Sequence, residues 1–230
     1  DVEFAVRNPG AGVWKVNLLQ CRPLQTAASE NVVIPEGIDN ELLFDVRRTS
    51  MRRSKKEKLD RIVWVDPQAY YEYPYAKKPD VGRMISQINQ RYEEEDKKLM
   101  LLVPGRIGTS SPELGVPVVY ADISQFIAIC EVAYSKAGYR PELSYGSHMF
   151  QDLVEADVYY GAINENSKTR LYQPELLKKF PDVFLKLWPQ EKELSDIIKV
   201  FDVSETGTCL LLDAKEGRAV CRLGGIDGVQ

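Results

Sequence analysis

Apolar residues fall on alternate positions at the start of the chain, where Val2, Phe4 and Val6 alternate with Glu3 and Arg7. Side chains on a strand point to opposite faces in turn, so this spacing predicts a β-strand. Asn8-Pro-Gly-Ala-Gly12 then supplies turn residues and Val13 to Leu24 returns, which together predict a β-hairpin. Thr26 to Ser29 is small and polar, the composition of a linker. Short strands are expected at Val32 to Ile34 and at Leu42 to Val46, and a compact one at Ile62 to Val65, closed by Asp66-Pro67.

After Pro79-Asp80, Val81, Met84, Ile85, Ile88 and Tyr92 recur at helical spacing, and Glu93 to Lys98 forms a charged end. Leu99 to Val103 and Phe126 to Ala133 are apolar runs of the buried-strand type. Between them Pro104 to Asp122 is rich in Gly, Ser, Thr and Pro and predicts a long loop. A second helix is expected from Ser147, turning Met149, Phe150, Leu153 and Val154 inward. Tyr159 to Ile163 predicts a strand, Pro174 to Trp188 a third helix, and Ile197 to Val203, Thr208 to Leu212 and Ala219 to Leu223 strands. The tail from Gly224 to Gln230 is expected to fray. The alternation of helices and strands predicts an α/β fold, a mixed sheet with flanking helices behind an N-terminal hairpin. The expected division is residues 1–26 for the hairpin and 27–230 for the mixed α/β domain.

Composition narrows this only slightly. Of 230 residues, 44% are hydrophobic and 28% charged, the balance of a globular domain, and the net charge of -4 provides no global attraction for nucleic acid or an anionic membrane. No apolar run is long enough to span a bilayer. No basic-then-apolar leader follows Asp1 and the first strand begins almost at once, so a piece of a longer cytoplasmic protein is expected. Cys21, Cys130, Cys209 and Cys221 form no CxxC pair. Cys209 and Cys221 flank the turn at Lys215 symmetrically and could face one another across a hairpin, but the expectation is reduced, buried thiols. Arg47 to Lys58 holds seven basic residues against one acidic residue and reads as a solvated, mobile loop.

Two blocks resemble known proteins. Asp1-Val-Glu3-Phe, a short turn and then Leu19-Gln20-Cys-Arg22-Pro23 resembles the end of the ATP-grasp domain of phosphoenolpyruvate synthases and pyruvate phosphate dikinases. The resemblance implies ATP and magnesium as cofactors, with Glu3 a metal ligand, Gln20 a contact to metal or phosphate, and Arg22 a catalytic cation facing the γ-phosphate. It implies as partner the rest of a parent chain with an amino-terminal ATP-binding lobe. The family's phosphohistidine setting, Gly-Gly-x-x-x-His-Ala, is missing: the single histidine, His148, lies in Tyr145-Gly-Ser-His-Met-Phe150. The chain alone is therefore expected to be inactive.

The second block is Val103-Pro-Gly-Arg-Ile-Gly-Thr-Ser-Ser-Pro-Glu-Leu-Gly-Val-Pro-Val118, followed later by Gly146-Ser-His-Met-Phe-Gln-Asp-Leu153. It resembles a domain of no assigned activity found after the ATP-grasp part of some phosphoenolpyruvate synthase-like proteins. Ile107 stands where a tryptophan is usual, and Ser111 where an aspartate is usual. Physically the loop has the parts of an anion cradle. Gly105, Gly108 and Gly115 allow close backbone approach, Thr109, Ser110 and Ser111 provide hydroxyls, and Arg106 a planar fork. A small anionic ligand held by Arg106, the amides near Gly108 to Ser111 and the start of the His148 helix is one expectation. The other is a structural loop in which Arg106 pairs with Asp122, Glu131 or Asp152. Two functions follow: a fragment of an ATP-dependent phosphotransferase, or a non-catalytic ligand-binding or assembly module.

Overall fold

A computed structural model describes residues 2–10, 12–21, 29–134, 143–144, 146–163 and 168–225. In chain order these form β1 (Val2–Arg7), β2 (Lys15–Cys21), β3 (Leu42–Arg47), β4 (Lys55–Lys58), β5 (Arg61–Val65), α1 (Pro67–Glu72), α2 (Pro79–Glu93) and β6 (Leu99–Pro104). There follow β7 (Phe126–Val132), α3 (His148–Glu155), β8 (Tyr159–Ile163), β9 (Thr169–Tyr172), α4 (Phe184–Leu187), β10 (Ile198–Asp202), β11 (Cys209–Asp213) and β12 (Arg218–Arg222).

β5, β6, β7 and β8 lie side by side in chain order, all parallel, with β10 antiparallel on the outer edge of β5. A second sheet, in the order β4-β11-β12-β3-β9, is antiparallel throughout. Alternation along β6 shows how the layers stack. Leu99, Leu101 and Val103 pack with Val81, Met84, Ile85, Ile88 and Tyr92 of α2. Met100 and Leu102, one residue out of phase, pack with Phe44, Val46, Leu210, Leu212, Ala219 and Cys221 of the antiparallel sheet. The fold is thus helices, a mostly parallel sheet and an antiparallel sheet in three layers. A strand buried on both faces needs no polar alternation, which is why Leu99 to Val103 reads as an unbroken apolar run.

The strands expected at Leu42, Ile62, Leu99, Phe126, Tyr159, Ile197, Thr208 and Ala219 and the helices expected at Pro79 and Ser147 are present to within a residue or two. Four details differ. Val32 to Ile34 pairs with no strand; Val32, Ile34 and Ile38 instead cover the outer face of the antiparallel sheet, against Leu42, Cys209, Leu211 and Val220. Pro174 to Trp188 is not one helix but a 3-10 segment at Pro174–Lys179 and the single turn of α4. Pro181 lacks an N–H and restricts Phe180 to the extended region it adopts, so a helix cannot run through. Val154, expected inside, is 42% exposed, while Leu153 is buried.

The fourth is the basic run, which includes β4 and is not a solvated loop. Lys55 is buried and donates to the Asp157 carbonyl at 3.0 Å and carboxylate at 3.3 Å, and Arg53 reaches the same carboxylate at 2.8 Å. Burial would raise the Asp157 carboxyl, but the bonds and charges of Arg53 and Lys55 outweigh it and hold the group below its ordinary range. α1, β4 and β9 were not foreseen, although Asp66-Pro67 is a helix start: Asp66 Oδ1 accepts from the Ala69 N–H at 2.9 Å. The tail beyond Gly225 lies outside the described residues.

Candidate functional site

The parallel strands β5, β6 and β7 all point their carboxyl ends to one edge, so the segments that follow them meet there. Ligands of open α/β sheets bind at such an edge. After β6 the chain doubles back on itself: Gly105 bridges Gly115, the Arg106 N–H donates to the Leu114 carbonyl (2.8 Å), and the Gly108 N–H to the Val116 carbonyl (3.0 Å). A Cβ on Gly115 would lie 2.0 Å from the Arg106 carbonyl oxygen, so only glycine fits there. From the β5 side the Tyr70 hydroxyl holds the far arm, donating within 2.6 Å of the Gly115 carbonyl and 3.0 Å of Pro112.

The second glycine-bearing block arrives from the β7 side. Ser147 caps α3, accepting from the Phe150 N–H (3.2 Å) and donating to the Ser144 carbonyl (2.6 Å). Gly108 abuts Met149 so closely that a Cβ on Gly108 would lie 2.7 Å from Met149 Cε. The expected meeting of the two glycine-bearing blocks is therefore present.

What joins them is Glu131, the one charged residue in the apolar run of β7. Its carboxylate is fully buried. One oxygen accepts from the Ile107 N–H at 2.7 Å and from the Ser144 hydroxyl. The other accepts from the Ser144 N–H at 2.8 Å and the Tyr160 hydroxyl at 2.5 Å. Burial pushes the Glu131 carboxyl above its ordinary range; the bonds from Ser144, Tyr160 and Ile107 pull the other way without cancelling it.

This changes the anion cradle. The N–H groups of Ile107, Gly108 and Ser111 are committed within the protein, to Glu131, Val116 and the Thr109 hydroxyl (3.1 Å), and Thr109 is thereby tied into the turn. The loop amides are built around an anion, but that anion is the protein's own Glu131. Arg106 pairs with none of Asp122, Glu131 or Asp152. It is half-buried, and its guanidinium makes no ion pair or hydrogen bond to the described residues, whereas Arg53, Arg61, Arg170, Arg218 and Arg222 each bond a carboxylate. Asp122 instead accepts from the Val119 N–H (2.8 Å). Ser110 and His148 are exposed. Ile107, at the position of the usual tryptophan, is buried in the core under α2.

Lys78 is a further cation at this edge that the sequence reading passed over. It is only 5% exposed and bonds the carbonyls of Tyr70 (2.5 Å) and Tyr71 (3.2 Å), with its ammonium 4.4 Å from the Tyr70 ring centre. Burial lowers its pKa. Its site at the last carbonyls of α1 accounts for it as a helix-end cation.

The hairpin is separate. All described residues of β1 and β2 are exposed except the half-buried Gln20. Glu3 stands directly opposite Gln20; Asp1 and Arg22 lie outside the described residues. One carboxylate and one amide oxygen on a common face are the hard ligands magnesium takes when substrate phosphates complete its shell. Among the described residues no group of three or more His, Cys, Asp or Glu side chains is arranged to hold a metal, and no helix is long and apolar enough to cross a membrane. Comparison with protein-family models, with curated proteins and with solved structures found no match to this chain. Its class is defined by its own fold alone, a three-layer α/β domain preceded by a β-hairpin.

Proposed function

We propose that the chain carries the closing hairpin of an ATP-dependent phosphotransferase of the phosphoenolpyruvate synthase kind, followed by an α/β module, and is not catalytically complete by itself. The observation that supports this reading is the two-faced hairpin. Glu3 and Gln20 are paired on its polar face, while Val2, Phe4, Val6, Val16 and Leu18 leave the other face apolar and exposed. An isolated two-stranded hairpin is marginal in water, so such a face is suited to packing within a larger nucleotide-binding domain. A magnesium ion held at the polar face would supply positive charge against the negative charge developing on the transferred phosphoryl group. Glu3 would hold the metal, and Gln20 would orient metal or phosphate; Arg22 is assigned to the γ-phosphate by the resemblance alone.

A second reading concerns the module. The half-buried Arg106, unpaired among the described residues, lies at the carboxyl edge of the parallel sheet and favours binding of a small phosphate- or carboxylate-bearing ligand without catalysis.

Calorimetry of the chain with ATP and magnesium is expected to show no micromolar binding. Joined behind the amino-terminal ATP-binding lobe of a phosphoenolpyruvate synthase, the chain is expected to bind ATP–magnesium, and Glu3→Ala to weaken that binding by about tenfold or more. Tight binding by the chain alone, or a fused protein indifferent to Glu3, overturns the first reading.

A further inference from the structure

Glu131 joins three segments distant in sequence: the Arg106 loop through Ile107, the start of α3 through Ser144, and β8 through Tyr160. Ile107 directly follows Arg106, and the Ser144 carbonyl accepts from the residue that caps α3. Removing this one carboxylate would release both sides of the edge together.

A buried carboxyl of this kind has a difficulty. Ionised, it can accept all four neighbouring donors. Protonated, it carries an O–H of its own that must find an acceptor, or a buried donor is left unpaired. The described groups around it are nearly all donors. The Arg106 loop and Ser144 offer the Ile107 and Ser144 N–H groups and the Ser144 hydroxyl. From α3, Phe150 and Leu153 pack into the same core, and Phe150 sits edge-on to Tyr160 at 5.3 Å. Tyr160 is the titratable group in contact from β8. Cys130, next on the same strand, lies on the opposite face, between the sheets.

Ser144 resolves the difficulty. Its hydroxyl oxygen lies beside Glu131 Oε1 and also 3.2 Å from the Ile107 carbonyl oxygen. We propose that Glu131 is the positioning residue of the Arg106 loop, and that the Ser144 hydroxyl lets it hold the loop whether its carboxyl is ionised or protonated. In the ionised state the Ser144 proton points to Oε1. When Oε1 takes a proton from solvent, that proton is donated to Ser144 Oγ, and the Ser144 hydroxyl turns to the Ile107 carbonyl. The Ile107 and Ser144 N–H groups keep their oxygens in both states, and no donor is orphaned. The net change is one proton gained and one hydroxyl rotated, with no movement of the loop. This holds with or without a ligand at Arg106.

The test is NMR of the full chain between about pH 4 and about pH 8, reading the Glu131 carboxyl carbon shift and the exchange protection of the Ile107 amide. In the wild type the carboxyl is expected to titrate above the ordinary glutamate range, while Ile107 protection stays constant through that step. In Ser144→Ala, protection is expected to match wild type on the alkaline side and to drop by about tenfold or more on the acid side, where the carboxyl proton has lost its acceptor. Tyr160→Phe removes a donor but not the switch, so it is expected to move the titration while leaving Ile107 protected on both sides. If Ser144→Ala does not fold, the wild type and Tyr160→Phe still decide. Loss of Ile107 protection in the wild type as Glu131 protonates, an acid-side loss in Tyr160→Phe, or a Ser144→Ala profile equal to wild type each overturns the proposal.

Discussion

Glu3 and Gln20 face one another directly across the β1–β2 hairpin, and they do so because the register slips by one residue between Glu3 and Phe4. Phe4 pairs with Leu18, so without the slip Glu3 would oppose Leu19. The extra residue, Leu19, is a β-bulge, and it moves Gln20 from the apolar face to the polar one. Strict alternation would have put Leu18 and Gln20 on the same side. The bulge therefore sorts the hairpin into an apolar face of Val2, Phe4, Val6, Val16 and Leu18 and a polar face of Glu3, Arg7, Lys15, Asn17 and Gln20.

The apolar face is a liability for the chain in isolation. Phe4 and Leu18 are 58% and 62% exposed and opposite one another. Replacing both by serine is expected to reduce self-association in sedimentation measurements, and to leave the main unfolding free energy within about 0.5 kcal/mol of wild type, as for surface positions generally. A large loss of stability would mean that the hairpin packs on the α/β domain.

Arg106→Ala is expected to abolish binding of inorganic phosphate, measured by NMR shift changes of the loop amides. The same variant should unfold at an unchanged midpoint, because the guanidinium bonds none of the described residues. A drop in midpoint, or phosphate binding that persists in the variant, would assign the loop a purely structural role.

Asp45 on β3 is fully buried between β9 and β12, bonded by Arg170 (2.5 Å) and by Nη2 and Nε of Arg218 (2.7 and 3.1 Å). Burial would raise its pKa, but the Arg218 and Arg170 bonds outweigh burial and hold it below the ordinary carboxylate range. A depressed carboxyl adds stability above its unfolded pKa that is lost as pH falls through the folded one. Asp45→Asn is expected to cost about 2–3 kcal/mol near neutrality, where Arg218 loses its carboxylate while Arg170 keeps Asp39. In urea unfolding the gap from wild type should narrow as pH falls below the ordinary carboxylate range and through the lowered folded pKa, where the wild type loses the same charge. A gap independent of pH would exclude the ionic contribution.

Gly82 sits inside α2, where alanine would ordinarily add about 1 kcal/mol. Here its Cβ would fall 2.2 Å from the Pro117 carbonyl oxygen, which places backbone against backbone. Gly82→Ala is expected to destabilise by about 2 kcal/mol, the range for overpacked sites. A stabilised variant in urea unfolding would show that the loop can move away from α2.

Cys221 is directly opposite Leu210, and Cys209 opposite Arg222, so the two thiols point to opposite faces of the antiparallel sheet. Cys221 lies between the sheets and Cys209 under the Val32 cover, which rules out the disulfide that their symmetry about Lys215 allowed. Burial raises the thiols of Cys130, Cys209 and Cys221. Alkylation of the native chain is expected to label Cys21 within minutes and the other three only after denaturation. Early labelling of Cys209 would indicate that the 29–38 cover opens.

By itself the amino-acid sequence determined the features that depend on nearest neighbours. The apolar runs of β6 and β7, the 3.6-residue spacing of α2, the Ser147 cap and the alternation of β1 are local, because strand and helix periods repeat within a few residues. Asp66-Pro67 was equally local and was read only as the end of a strand. What the tertiary structure alone decided is which distant groups meet. Val32 and Ile34 have strand-like residue types, yet they serve as a lid because an outer sheet face needed covering. Lys55 looks solvated within a basic run until Asp157, 102 residues later, comes to lie beside it. Glu131 shows the reason most clearly. A charge in an apolar strand signals that partners must exist, since a buried carboxylate cannot go without donors. Its donors come from positions 24, 13 and 29 residues away, on a loop, a cap and a neighbouring strand. No period in the chain encodes those separations; they follow from how the layers stack.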